Sequence, residues 1–186
     1  VARYVPKKNI SMLIDAYAQY HSAAGETALP LLLVGEGPLK ADLENQIAAA
    51  KLCHAVLMRP FAQYEELPAY FGLATALVLP SMVDQWGLVI NEAMAAGCLV
   101  LASSHCGAAP DMVIEAQTGF TFDPTDAASL ARLITWVAEN ESEAARIAGA
   151  GSVYVGAFGL SDHAQGFARA ACAAGLQYPS HKESEL

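Results

Sequence analysis

Basic side chains are scarce in this sequence. Ten Lys and Arg stand against nineteen Asp and Glu in 186 residues, giving a formal net charge of −9. An average field of that sign repels phosphate backbones and anionic lipid, which argues against nucleic acid or a membrane surface as partner. An anionic ligand would have to be met by local convergence of the few cations. No apolar run approaches the roughly 20 residues that a membrane-spanning helix needs, and no candidate helix carries a basic stripe. The four cysteines, Cys53, Cys98, Cys106 and Cys172, are scattered without C-x-x-C spacing. They read as reduced apolar filler in a cytoplasmic protein, not as a disulfide framework. The histidines, His21, His54, His105, His163 and His181, are isolated, and no set of His, Asp and Cys stands at metal-ligand spacing. An initiating methionine is lacking too. The chain opens on Val1 in "VARYV", which reads as a piece of a longer protein, cut just before or inside a strand.

What is present is apolar and regular. Hydrophobic residues make up 54% of the chain, enough for a folded body of one ordinary domain rather than a disordered segment. Short apolar runs, "LPLLLVG", "HAVLMRPF", "ALVLPS" and "CLVLASS", suit buried parallel strands. Longer amphipathic segments alternate with them: "ISMLIDAYAQYHSAA", "PLKADLENQIAAAKL", "EELPAYFGLA" and "LVINEAMAAG". That alternation implies right-handed crossovers and an α/β fold, a Rossmann-like open parallel sheet with helices on both faces. Strand signals stop after "TGFTFDPTD" (118–126), and three helical segments follow. Residues 1–176 form one domain in this reading, and residues 177–186 a loose polar tail.

Ligands of such sheets sit beyond the carboxyl ends of the strands, where loops turn into helices. Three turns there carry suitable residues. In "VGEGPLK", Gly35 and Gly37 allow close backbone approach, either to a ligand or within a tight turn, and Pro38 suits a first helical turn. A dinucleotide fingerprint fails, because Lys40 replaces its third glycine and Arg59 stands where the acid would end the next strand. In "PSMVDQWGLVINEAMAAG", Gly87 leads into a helix expected to begin near Leu88, whose free N–H groups favour an anion. Glu92, one turn inside, and Asp84 in the loop are suited to accept hydrogen bonds from hydroxyls. A ligand with phosphate between two polyols satisfies every group, which describes a nucleotide-sugar. The alternative is that Asp84 caps its loop and Glu92 is a solvated helix residue. In "VARYVPKKN", Arg3, Lys7 and Lys8 cluster at a strand exit, either for an anion or as a solvated turn.

The segments "ARYVPKKN", "LLLVGEGPLKADLE", "YEELPAYFGLATALVLPS", "DQWGLVINEAMAAG", "CGAAPDMV" and "TGFTFDP" follow one another as in family 4 retaining glycosyltransferases. The resemblance to these group 1 transferases of GT-B fold covers about residues 1–140, and "GLVINEAMAAG" with its upstream acid is its most specific part. Such enzymes face two Rossmann-like domains across a cleft. The resemblance implies that this chain is the C-terminal, donor-binding domain, with an N-terminal acceptor domain as its partner.

It further implies that Arg3 and Lys8 grip the donor diphosphate, assisted by the backbone of Gly87, Leu88 and Val89. Glu92 would hold the ribose hydroxyls and Asp84 the transferred sugar, although Asp84 stands where the family has glutamate, one methylene longer. "RPFAQYEE" corresponds to the loop beside the base, with Pro60 in place of a common glycine and Phe61 marking the neighbourhood. The implied reaction is metal-independent sugar transfer from a nucleotide-diphosphate sugar with retention of configuration, using no other cofactor. Arg3, Lys8, Asp84 and Glu92 would be its catalytic residues. Alternatives are a GT-B sugar-nucleotide epimerase, a phosphorylase of the same fold (for which no cofactor lysine stands out), and a non-catalytic binding or regulatory module.

Overall fold

The computed structural model describes residues 1–173. The polar tail expected at 177–186, His181 within it, lies outside the described residues, as does the side chain of His163. Five strands alternate with helices. They are β1 (Leu31–Val34), β2 (Val56–Arg59), β3 (Ala76–Leu79), β4 (Leu99–Ser103) and β5 (Phe120–Phe122). Helix α1 (Ile10–Ala24) precedes β1, and the helices between the strands are α2 (Lys40–Ala49), α3 (Leu67–Leu73), α4 (Val89–Ala95) and α5 (Ala109–Met112). Three more close the described chain: α6 (Ala127–Glu139), α7 (Glu141–Val155) and α8 (Leu160–Ala173). The short helix α5, in "APDM", has no counterpart among the amphipathic segments; with four residues it is too brief to show a period.

Every strand pairing is parallel, as the alternation of short apolar runs with helices requires. β4 shows the two-residue alternation of a strand buried from both sides. Leu99 and Leu101 of β4 face a core shared with Ile14 and Tyr17 of α1 and Leu130 of α6. Val100 and Ala102 face the opposite core, shared with Ile90 and Met94 of α4 and Met112 of α5. Helices therefore cover both faces, and all five residues of β4 are buried. The apolar spacing in α1 does the same on one side only, burying Ile10, Leu13, Ile14, Tyr17 and Tyr20. Asp126 starts α6 by accepting the Ser129 N–H at 2.9 Å.

Within this fold, two details of the strand pairing go beyond the sequence reading. The strands form two sheets, β1-β2 and β3-β4-β5, rather than one. An apolar cavity lined by residues of both strands lies between β1 and β3. The strand expected at Val1–Arg3 is not formed. Ala2 and Tyr4 instead donate to Val34 and Glu36, at 3.0 and 2.9 Å, so this segment meets β1 only at its carboxyl end.

Candidate functional site

Three segments meet beyond the carboxyl end of β3. Residues Pro6–Lys8 form one turn of 3-10 helix. Asn9 then turns left-handed, at φ 54°, to start α1, and its side-chain amide donates to the Pro124 carbonyl at 2.8 Å. This anchors Lys8 from behind. The Lys7 carbonyl accepts the Met82 N–H at 2.9 Å, which ties the turn to the loop after β3. On the other side of that loop, the Asp84 carbonyl accepts the Gly107 N–H, and Asp84 bridges Cys106 in the loop after β4.

The side chains follow from this framework. The Lys8 ammonium donates to Asp84 Oδ2 at 2.5 Å, with the side chains only 20% and 16% exposed. The Ser81 hydroxyl lies 3.5 Å from the same oxygen. Half-buried opposite charges hold one another more firmly than exposed pairs such as Lys40–Glu36 or Arg146–Glu143. Next to them, burial first and the Asp84 charge second push the Cys106 thiol up to about 11, so it stays protonated and unreactive near neutral pH.

Gly87 makes the turn into α4. Its φ of 94° strains any residue with a side chain, and a Cβ there would stand 3.2 Å from Leu79 Cδ2. Ile90 N–H then bonds to the Gly87 carbonyl at 2.8 Å. The N–H groups of Leu88 and Val89 have no backbone acceptor among the described residues. Trp86 locks the loop, its indole N–H reaching Asn91 Oδ1 at 3.0 Å. Glu92 lies in the first turn, half-buried, and no hydrogen bond or ion pair reaches its carboxylate among the described residues.

Of the residues singled out by sequence, Lys8, Asp84 and Gly87 come together with Leu88, Val89 and Glu92 alongside. The helix begins at Val89, so Leu88 precedes it. Arg3 is exposed, with no ion pair among the described residues, and Phe61 is 64% exposed on the loop after β2; neither touches the Lys8–Asp84 group. Gly35 and Gly37 make their close approach to the protein's own backbone. A Cβ at Gly35 would fall 1.8 Å from the Ala2 carbonyl, and one at Gly37 2.5 Å from that of Tyr4. Pro38 lies two residues ahead of α2 rather than inside its first turn.

Sequence reasoning missed the contact between Lys8 and Asp84, which it assigned to different parts of one ligand. It also missed the supports, Ser81 and the Cys106–Gly107 pair; a cysteine and glycine just past an apolar strand were the only signal. Chemically, the face offers one free carboxylate at Glu92, one unbonded oxygen at Asp84, a held ammonium and two free N–H groups. No group of three or more His, Cys, Asp or Glu that could hold a metal ion occurs among the described residues. No helix among them is long and apolar enough to cross a membrane.

The D-inositol 3-phosphate glycosyltransferase of Streptomyces scabiei is 35% identical over 126 residues, which is 67% of this chain but only 28% of that protein. Anabaena HepE, solved in complex with UDP, superposes with a TM-score of 0.79 at 25% identity, covering 92% of this chain and 47% of HepE. The C-terminal domain of a glycosyl transferase group 1 family protein, LpcC of Francisella tularensis, superposes with a TM-score of 0.75 at 23% identity, covering 82% of this chain and 80% of that domain. The fold is thus the Rossmann-like α/β fold of GT-B glycosyltransferases. The family profile of the Glycosyl transferases group 1 matches residues 1–152, through both sheets and the Lys8–Asp84 site, and the chain belongs to that family.

Proposed function

We propose that this chain is the donor-binding domain of a retaining glycosyltransferase that takes a sugar from a nucleotide-diphosphate sugar. An N-terminal domain of the same protein would supply the acceptor site across a cleft. The observation that carries the reading is the 2.5 Å contact of Lys8 with Asp84 beyond β3. A cation suited to phosphate touches an acid suited to hydroxyls, and a diphosphate joined to a sugar presents both groups at one point. The UDP complex of HepE and the name of the Streptomyces relative support a sugar nucleotide as ligand.

In this reading Lys8 holds one oxygen of Asp84 and leaves the other for a sugar hydroxyl. Glu92, free of protein partners, accepts from the ribose hydroxyls. Phe61 lies toward the base. As the bond from the anomeric carbon to the diphosphate breaks, negative charge grows on the leaving oxygen. Lys8, Arg3 and the Leu88 and Val89 N–H groups stabilise that charge more than they stabilise the bound donor, which lowers the barrier. These groups supply the positive charge without a metal or further cofactor. A cytoplasmic location belongs to the same reading, with which the free, buried thiols of Cys98 and Cys106 are compatible.

Calorimetric titration with UDP, GDP and ADP tests the site and identifies the base. One of the three is expected to bind, and Lys8→Ala to weaken it by about 10-fold or more while the free nucleoside loses little. No binding of any of them at millimolar concentration overturns the donor site and favours a non-catalytic module.

A further inference from the structure

The loop after β3 changes register against the loop after β4 just before Asp84. In the paired strands Leu79 stands opposite Ala102. The same spacing, 23 positions, relates Met82 to His105, and the two touch: His105 Nδ1 lies 3.2 Å from the Met82 carbonyl. At Asp84 the partner is Cys106, one position short of that spacing. Val83 is therefore an extra residue, and it stands out at 62% exposed. An extra residue in one member of a strand pair bends that member and re-aims the side chains beside it. The side chain that follows here is Asp84, which meets Lys8.

Both ends of this bulge are held. On the carboxyl side the Gly107 N–H bonds to the Asp84 carbonyl and the Ala108 N–H to that of Trp86, each at 2.9 Å. On the amino side no backbone N–H among the described residues reaches the Met82 carbonyl, and the His105 ring takes that place. A carbonyl only accepts, so Nδ1 carries the proton in this contact. The ring stands on a fixed turn. Fully buried Ser103 accepts the His105 N–H on its hydroxyl and the Cys106 N–H on its carbonyl, both at 3.0 Å. Met82 in turn donates its own N–H to the Lys7 carbonyl at 2.9 Å. One residue thus links the ring to Asp84, along the loop, and to Lys8, across the bond to Lys7.

We propose that His105 is a positioning residue of this site. Its Nδ1–H bond to Met82 fixes the bulge at Val83, and with it the place where the Lys8 ammonium and the Asp84 carboxylate meet. It acts through Met82 rather than on the ligand. The inference rests on the donor-site reading for its consequence in binding, and on the loop geometry alone for the rest.

The test compares His105→Ala, His105→Asn and His105→Gln with the parent chain. The asparagine amide can donate from about the place of Nδ1, whereas glutamine carries its amide one bond farther out. Three quantities are read in each: amide exchange at Met82, the carbon resonance of the Asp84 carboxylate, which senses Lys8 without any ligand, and the Kd of whichever of UDP, GDP and ADP binds the parent. Alanine is expected to speed the exchange and to weaken the diphosphate by about 5-fold each, the worth of one ordinary hydrogen bond, and to shift the Asp84 resonance. Its Tm should stay within about 2 °C of the parent, because the ring is exposed. Asparagine should restore all three quantities and glutamine none. Unchanged exchange or an unmoved Asp84 resonance in the alanine variant would overturn the proposal. So would asparagine behaving like alanine, which would leave the ring as mere filler, or a displaced pair with unchanged diphosphate affinity. A parent that binds none of the three nucleotides would remove the donor reading instead, and the exchange and the carboxylate resonance would then decide the positioning role by themselves.

Discussion

The turn after β1 and the turn after β3 both lead from a parallel strand through glycine into a helix, yet opposite things fill them. At Gly35 and Gly37 the space left by the missing side chains is taken by the backbone of Ala2 and Tyr4. At Gly87 no backbone atom stands among the nearest neighbours of the missing Cβ, and the N–H groups of Leu88 and Val89 and the carboxylate of Glu92 remain without protein partners among the described residues. The first turn is a joint within the fold. The second keeps unmet donors and acceptors, as the proposed donor site requires. A glycine in such a turn signals only that something comes close; the unsatisfied polar groups around it say whether that something is protein or ligand.

The comparison is most sharply tested at Gly37. A Cβ there would lie 2.5–2.8 Å from three backbone atoms of Tyr4, which is 1% exposed and belongs to the core. Gly37→Ala is expected to lower unfolding free energy by about 2–4 kcal/mol, the cost of overpacking a site whose neighbour is backbone. Urea unfolding measures it. Stability equal to that of the parent would mean that the first turn, too, is open space.

Glu92→Ala tests the other turn, and the effect should fall on binding instead of folding. Near a helix start the carboxylate contributes at most about 1 kcal/mol to stability. Loss of charge-assisted bonds to a ribose is expected to weaken donor binding by about 1.5–3 kcal/mol. Thermal melts beside donor titrations separate the two. Unchanged donor binding and kinetics in a normally folded variant would remove Glu92 from the site.

The contrast between the turns also marks what the sequence made legible. Apolar runs bounded by turn residues located β1 to β4, and the strand signals ended with the segment that holds β5, because burial in a parallel sheet leaves a composition that survives in the linear order. The start of α4 was legible to within one residue from Gly87 and the apolar spacing after it. The division into two sheets was not, since no local pattern records which strand edges find a neighbour. Nor was the Lys8–Asp84 contact, made across 76 positions by loops after different strands. Spacing within a motif speaks for one helix or one loop. Contacts between strand exits depend on strand order, which the periodicity does not encode. For the same reason "VGEGPLK" looked open to a ligand, its true neighbours, Ala2 and Tyr4, lying far earlier in the chain.

Asp84 belongs to both sides of the comparison, holding a protein partner while keeping an oxygen free, and the smallest expected effect lies there. Asp84→Glu retains the charge that Lys8 requires and extends the carboxylate by one methylene. If the free oxygen meets the transferred sugar, the substitution changes which sugar on a given nucleotide is used, or its turnover. Affinity for the nucleoside diphosphate then stays within about threefold, less than 1 kcal/mol, because Gly87 and the N–H groups beyond it are untouched. If Asp84 serves only to hold Lys8 and its loop, moving the carboxylate displaces the ammonium, so all donors and the bare diphosphate weaken together and Tm falls. Steady-state kinetics with two sugars on one nucleotide, run beside a melt, distinguishes these outcomes. A uniform loss accompanied by a lower Tm would make Asp84 part of the joint and leave Glu92 as the acid that faces the ligand.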